Sequence, residues 1–231
     1  DFSKLKFSTS GGMALPKATA ERWQEVTGAP VTEGYGLSET SPVLTANPLE
    51  AIQLGTVGTK LPLTEIRIIK DDGTEAGVEE PGELQARGPQ VMRGYWNRPD
   101  ATAEVMTDDG FFKTGDVAVI QKDGYYRIVD RIKDLINVSG FNVFPAEIED
   151  VLAGLDGVLE CGVVGVMGDN EIEQVKVCVV RDPDSAATVD ASDVVAFAKA
   201  NLAAYKVPKI VEFIDELPKS AVGKILRREL R

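Results

Sequence analysis

Apolar positions along this chain follow two periods, and the period changes with position. DFSKLKFSTS is a strand-like run that stops at the pair Gly11-Gly12. LPKATAERWQEVTG then reads as a helix. Pro16 suits its first turn, Gly28 its stop, and Ala20, Trp23 and Val26 fall where a core-facing stripe would lie. PVTE predicts a short strand and GYGLSETSP a loop. From about 55 to 130 the chain reads as β-structure: TEIRII alternates, Asp71-Asp72-Gly73 turns, and GELQAR is a strand. DGFFKTGDVAVI, KDG and YYRIVD together predict a hairpin.

The pattern changes near Arg131, where RIKDLINVSGFNVFP carries charges and then a glycine turn. Pro145 opens an amphipathic helix with Glu147 and Glu149 in its first turns. Ile148, Val151, Leu152 and Leu155 recur in it at helical spacing. LECGVVGV and EQVKVCVV predict strands, the second with Val175, Val177 and Val179 on one face. DASDVVAFAKANLA predicts a helix capped by Ser192, and KIVEFI a final strand. A turn at Gly223 then places Lys224 ahead of a short basic helix. The expected class is α/β with α+β. Residues 1–130 form a β-rich unit, 131–134 a joint, and 135–231 a small α+β unit.

Composition narrows the chemistry. The net charge of -12 argues against nucleic acid, which needs a dense basic face. The chain has no histidine, which removes Ser-His-Asp and Cys-His catalysis and histidine metal sites together. Lys, Arg, Asp, Glu, hydroxyls and backbone groups remain, a set suited to phosphate and carboxylate charge. Cys161 and Cys178 lie in apolar β segments without a CxxC pair, and read as buried thiols of a reducing cytoplasm. No apolar run approaches the roughly 18 to 20 residues of a membrane span.

Two look-alikes fail. GYGLSE has Glu39 where a dinucleotide fingerprint needs glycine. VGKI has Pro218 in place of the upstream glycine of a phosphate loop, and Ile225 in place of its Ser/Thr. Other stretches can be read in two ways. In EGYGLSETSP, Gly34 and Gly36 let a ligand touch backbone, Tyr35 can stack on a base, Ser38 can donate to phosphate, and Glu39 can hold Mg²⁺. The same residues also make a tight turn with a solvated Glu. Asp116 of TGD can accept from a ribose diol or cap a turn. Arg131 can pair with Asp130 or reach a ribose or phosphate. SGFNVFP is a hairpin, or a backbone path for a narrow ligand.

The order of these pieces, EGYGLSE, TGD, DRIKDLINVSGFNVFPAEIE and PKSAVGK, resembles the adenylate-forming superfamily over essentially the whole chain. That superfamily holds acyl-CoA synthetases, peptide-synthetase adenylation domains and luciferases. GPQVMRGYWNRPDAT, IVDRIKDLINVSGFNVFPAEIEDVL and YKVPKIVEFIDELPKSAVGKILRREL are most similar to bacterial long-chain fatty-acid–CoA ligases. The resemblance implies the β-rich C-terminal part of a large domain followed by a mobile α+β lid. It implies ATP and a fatty acid giving acyl-adenylate, which CoA then converts to a thioester with release of AMP.

By the same resemblance, Gly11 and Gly12 border the adenine and acyl pockets, Tyr35 packs on adenine with Gly36 also in the nucleotide site, and Ser38 contacts phosphate. Glu39 ligates Mg²⁺, Asp116 takes the ribose hydroxyls with help from Arg131, and Lys133 is the hinge. Gly140 lines the pantetheine path, and Lys224 reaches the reacting carboxylate and α-phosphate. Arg227 and Arg228 read as ordinary solvated helix charges.

The family's phosphate-binding stretch, rich in Ser, Thr and Gly and ending in Pro-Lys-Gly, is not in this sequence, nor is most of the acyl pocket. The start also lacks a Met or polar lead-in, so the expectation is a piece of a longer enzyme, inactive alone. Ligases for short, aromatic or other acids stay open, as does a non-catalytic adenylate-binding or interaction module. A fatty-acid substrate is compatible with peripheral contact at the inner membrane face, though no basic amphipathic helix supports it.

Overall fold

Helix and sheet alternate in an order set by short apolar strands and glycine or proline punctuation. The computed structural model describes residues 1–168, 171–221 and 223–231. Val222, inside the terminal PKSAVGK stretch, therefore lies outside the described residues. The chain divides into two compact units, Asp1–Val129 and Asp130–Arg231.

In the first unit, β1 (Ser8–Ser10), β2 (Val31–Gly36), β3 (Val43–Ala46) and β4 (Thr59–Lys60) form one sheet in that order. β1 runs parallel to β2, and the other neighbours are antiparallel. A parallel pair needs a crossover, supplied here by helix α1 (Lys17–Thr27). Pro16 stands at its N-cap, and Gly28 ends it in the left-handed region with its amide donating to the Gln24 carbonyl. Of the expected core stripe only Ala20 is buried. Trp23 and Val26 are 40% and 55% exposed, because α1 meets this sheet mainly at β2.

The second sheet is β5 (Glu65–Ile69), β6 (Gly82–Arg87), β7 (Phe112–Ile120) and β8 (Tyr126–Arg131), in chain order. Helix α2 (Pro99–Val105) interrupts what the sequence suggests is continuous β-structure. It buries none of its residues, so it leaves no hydrophobic period to read. Pro99 at its start and Asp100 in its first turn supply the helix signal instead. The core between the sheets is Leu44, Ile68, Leu84, Ala86, Ala118 and Tyr126, with Tyr35 and Val57 packed against it.

The second unit begins with the hairpin β9 (Ile136–Val138) and β10 (Phe141–Val143), followed by helix α3 (Pro145–Leu152). Its main sheet is β11 (Val158–Met167), β12 (Glu173–Arg181) and β13 (Ile210–Phe213), and helix α4 (Ala191–Asn201) makes the parallel crossover from β12 to β13. Both faces of this sheet are covered, which explains its almost unbroken valines. Val163, Val175, Val177 and Val179 pack with Ile148 and Leu152 of α3 and Val194 and Ala198 of α4. On the opposite face, Val164, Cys178 and Val180 pack with Leu217, Ile225 and Leu230 of the terminal segment.

Two expected helix features are placed differently. The N-cap of α4 is Asp190, not Ser192. Its carboxylate accepts the amides of Ser192 and Asp193, and Asp193 returns the bond to the Asp190 amide. After Gly223 there is no basic helix. The Ser220 and Leu226 amides donate to the Lys224 and Pro218 carbonyls, so a small antiparallel turn takes the groups a helix would use. Only Arg227–Glu229 coils, as a single 3₁₀ turn. Among the described residues no helix is long and apolar enough to cross a membrane.

Candidate functional site

Tyr35 and Asp116 lie 81 residues apart, and the first unit joins them through a hydrogen bond of 2.6 Å from the phenol to the carboxylate. Asp116 is 5% exposed and sits in β7 just after Gly115, whose φ of 70° breaks the regular strand. Thr114 pins that irregularity: its hydroxyl donates to the Leu84 carbonyl at 2.7 Å and accepts the Asp116 amide at 3.1 Å. The TGD stretch is thus a device for aiming one buried carboxylate.

GYGLSETSP is less a loop than a strand end followed by a turn. Tyr35 and Gly36 close β2, with a register shift between them, and Ser38–Thr40 form a 3₁₀ turn. Gly36 has no room for a side chain, since a Cβ there would stand 1.6 Å from the Pro42 carbonyl oxygen. The close approach expected at this glycine is made by the chain's own backbone. Thr40 is fully buried and ties the turn, accepting the Leu37 amide at 2.9 Å and donating to the Pro42 carbonyl at 2.7 Å.

Glu39 is held at both ends. Its carbonyl accepts the Met92 amide at 2.7 Å, and its carboxylate accepts the Tyr95 hydroxyl at 2.9 Å. Burial and the Glu39 carboxylate together raise the Tyr95 phenol above its ordinary pKa. Thr40, Tyr95 and Thr114 are not singled out by sequence reasoning. Thr40 adjoins Glu39 and could have been, but Tyr95 is 56 residues away with no local signal linking it to Glu39. Gly11 and Gly12 follow β1; Gly11 faces the Gly34 carbonyl, and Gly12 takes a φ of 85° in open space.

The remaining candidates belong to the second unit. Asp130 is 7% exposed, and its carboxylate accepts the Arg131 amide at 2.8 Å and the Ala146 amide, at the start of α3, at 2.9 Å. Burial pushes its carboxyl pKa up against those bonds. Lys133 is exposed in the 3₁₀ turn Ile132–Asp134. Ser139 and Gly140, with φ of 53° and 88°, make the two-residue turn joining β9 to β10. The Asn137 side chain accepts the Gly140 amide at 2.8 Å, and Phe141 beside it stacks on Tyr205 at 4.7 Å. Lys224 lies on the terminal turn, its amide donating to the Ser220 hydroxyl at 3.1 Å.

The donor set suits a nucleotide with a divalent ion in one specific mode. Among the described residues no three acidic or thiol side chains gather into a metal cage. A single anchored carboxylate such as Glu39 fits Mg²⁺ that takes its other ligands from substrate phosphates and water. A buried, aimed carboxylate such as Asp116 fits a diol.

Comparison with known proteins bears on the family. Residues 1–96 match the model of the AMP-binding enzyme family, and residues 147–224 match that of the AMP-binding enzyme C-terminal domain. A long-chain-fatty-acid–CoA ligase of Yersinia pestis is 52% identical over all of this chain, and one of Escherichia coli O157:H7 is 50% identical. The chain spans 41% of the length of either relative. The crystal structure of ATP-bound MatB from Rhodopseudomonas palustris matches 96% of this chain and 44% of its own, with a TM-score of 0.90 at 38% identity. The chain belongs to the AMP-binding enzymes of the adenylate-forming superfamily.

Proposed function

We propose that this chain forms the C-terminal part of an AMP-forming, ATP-dependent ligase that activates long-chain fatty acids and passes them to CoA. The joining of Tyr35 and Asp116 at 2.6 Å carries the reading, since two motifs far apart in the chain meet as one pair. The whole-chain likeness to fatty-acid ligases supports the substrate class.

The chemistry brings a carboxylate up to the α-phosphate of ATP, two anions that repel. Mg²⁺ on Glu39 would offset phosphate charge. Tyr35 packs on the adenine with Gly36 beside it, Gly11 and Gly12 border the adenine and acyl pockets, and Ser38 donates to phosphate. Asp116 accepts the ribose hydroxyls, with Arg131 beside them. Lys224 supplies the mobile cation that stabilises charge developing on the reacting oxygens. No group in this set has to accept a proton at neutral pH, so the lack of histidine is no handicap. In the second half-reaction the unit carrying Lys224 turns about Lys133, and the Gly140 turn lines the path of the CoA thiol arm. The reading places the enzyme in the cytoplasm, where its two buried thiols stay reduced.

The test is ATP–pyrophosphate exchange. The isolated chain should show none above background. A longer polypeptide that adds the phosphate-binding stretch should show exchange dependent on long-chain fatty acid. Robust carboxylate-dependent exchange by the chain alone would defeat the proposal.

A further inference from the structure

Arg227 lies three residues past Lys224 and does not behave as a surface charge. Its side chain is 18% exposed, against 80% for Arg228. The guanidinium meets the Glu149 carboxylate of α3 at 2.6 Å, donates to the Val163 carbonyl of β11 at 3.3 Å, and lies 3.8 Å from the Asp134 carboxylate. Glu149 completes the arrangement by accepting the Val163 amide at 2.8 Å through its other oxygen. One cation thus ties four separate stretches of chain, and one of them, Asp134, closes the 3₁₀ turn that holds Lys133. The reading of Arg227 as a solvated charge is overturned, because three acceptors from three different segments converge on it.

The terminal turn has a second anchor on its other arm. Lys219 meets both oxygens of Glu160 in β11 at 2.6 and 2.8 Å. Below it, Ile225 and Leu230 pack on the sheet. Lys224 is therefore mounted between two ion-paired posts on a surface that already covers apolar area.

We propose that Arg227 is a positioning residue that locks the Lys224 turn to α3 and to the hinge carboxylate Asp134, so that lysine and hinge move as one body. This rests on the reading of Lys224 as the adenylation lysine. A cation that must arrive at a reacting oxygen after a rigid rotation needs its mounting fixed, since a misplacement of about 1 Å costs on the order of 100-fold in rate.

The paired variant Arg227→Met/Glu149→Gln tests it, because it removes the cation together with its nearest carboxylate, so no unpaired Glu149 charge stays buried. Hydrogen exchange on the chain gives the first arm. The amides of Ser220, Gly223 and Leu226 should exchange at least about tenfold faster than in the parent, while those of β12 keep their protection. The second arm uses the full-length protein carrying the same changes. Pyrophosphate-exchange kcat should fall about 10- to 100-fold with little change in KM for ATP, and thioester formation from supplied acyl-adenylate should stay near the parent rate. Unchanged amide protection at the terminal turn would overturn the lock, and so would equal losses in both half-reactions. If the parent shows no pyrophosphate exchange at all, the ligase reading falls, while the hydrogen-exchange arm still judges Arg227.

Discussion

Asp116 stays at 5% exposure with its carboxylate oriented by the Tyr35 hydroxyl. Removing that hydroxyl leaves a buried acceptor with one partner fewer, at a cost of about 1 to 3 kcal/mol. Tyr35→Phe should lower the urea midpoint accordingly, and it should weaken AMP binding in the full-length protein, measured by calorimetry. Stacking on adenine alone would leave that affinity intact. The two cysteines give a second check at this scale. Burial first, and then the nearby Glu149 charge, push the Cys161 thiol up to about 12, and burial also raises Cys178. Almost no thiolate exists near neutral pH, so both should resist iodoacetamide at pH 8 until urea unfolds the chain. Rapid labelling of the folded protein would contradict the burial described.

Glycines carry the element-scale argument, because what stands beside each one decides what a side chain there would cost. At Gly36 the obstacle is backbone, the Pro42 carbonyl, which cannot swing aside. Gly36→Ala should therefore cost at least about 3 kcal/mol and displace the turn bearing Glu39. A melting temperature within a degree of the parent would refute this. At Gly162 a Cβ would meet the ends of Leu230 and Leu217 at 2.6 and 3.2 Å, and flexible side chains can yield. Gly162→Ala should cost only about 1 kcal/mol, with faster hydrogen exchange confined to the terminal segment.

These two glycines also mark how far the sequence was legible. Gly36 drew attention through its spacing around Tyr35, yet the spacing could not tell a ligand from the Pro42 backbone as the close neighbour. Gly162 lies in a valine-rich strand and gave no signal, since nothing local announces that the chain end will fold back over it. Helix α3 was readable because its burial is one-sided and periodic, and the strands β5 to β8 because glycine and aspartate turns punctuate them. Helix α2 was not, having no buried face. Arg227 was misjudged for a related reason: its partners Glu149 and Asp134 come from 78 and 93 positions away along the chain, and charge alone does not say which arginine will be enclosed.

At the scale of the whole molecule, Tyr35, Glu39 and Asp116, assigned to nucleotide and metal binding, lie in the unit Asp1–Val129, while Arg131 and the lysine assigned to activation lie in Asp130–Arg231. A reaction with two half-reactions can use that division. If the second unit supplies Lys224 only for adenylation, removing the lysine should separate the halves. Lys224→Ala in the full-length protein should lower adenylation by about 100-fold or more, the scale of losing one electrostatic stabiliser of the transition state. Thioester formation from supplied acyl-adenylate should persist. Lys133→Pro should do the reverse, because a fixed φ restricts the turn at which the second unit would rotate. There the pyrophosphate exchange should survive and the thioester step should slow. Single-turnover measurement of each half-reaction distinguishes these profiles. Equal loss in both halves for Lys224→Ala would place the lysine outside the chemistry. A selective loss of adenylation in Lys133→Pro would move the hinge elsewhere in the stretch between Asp130 and Asp134.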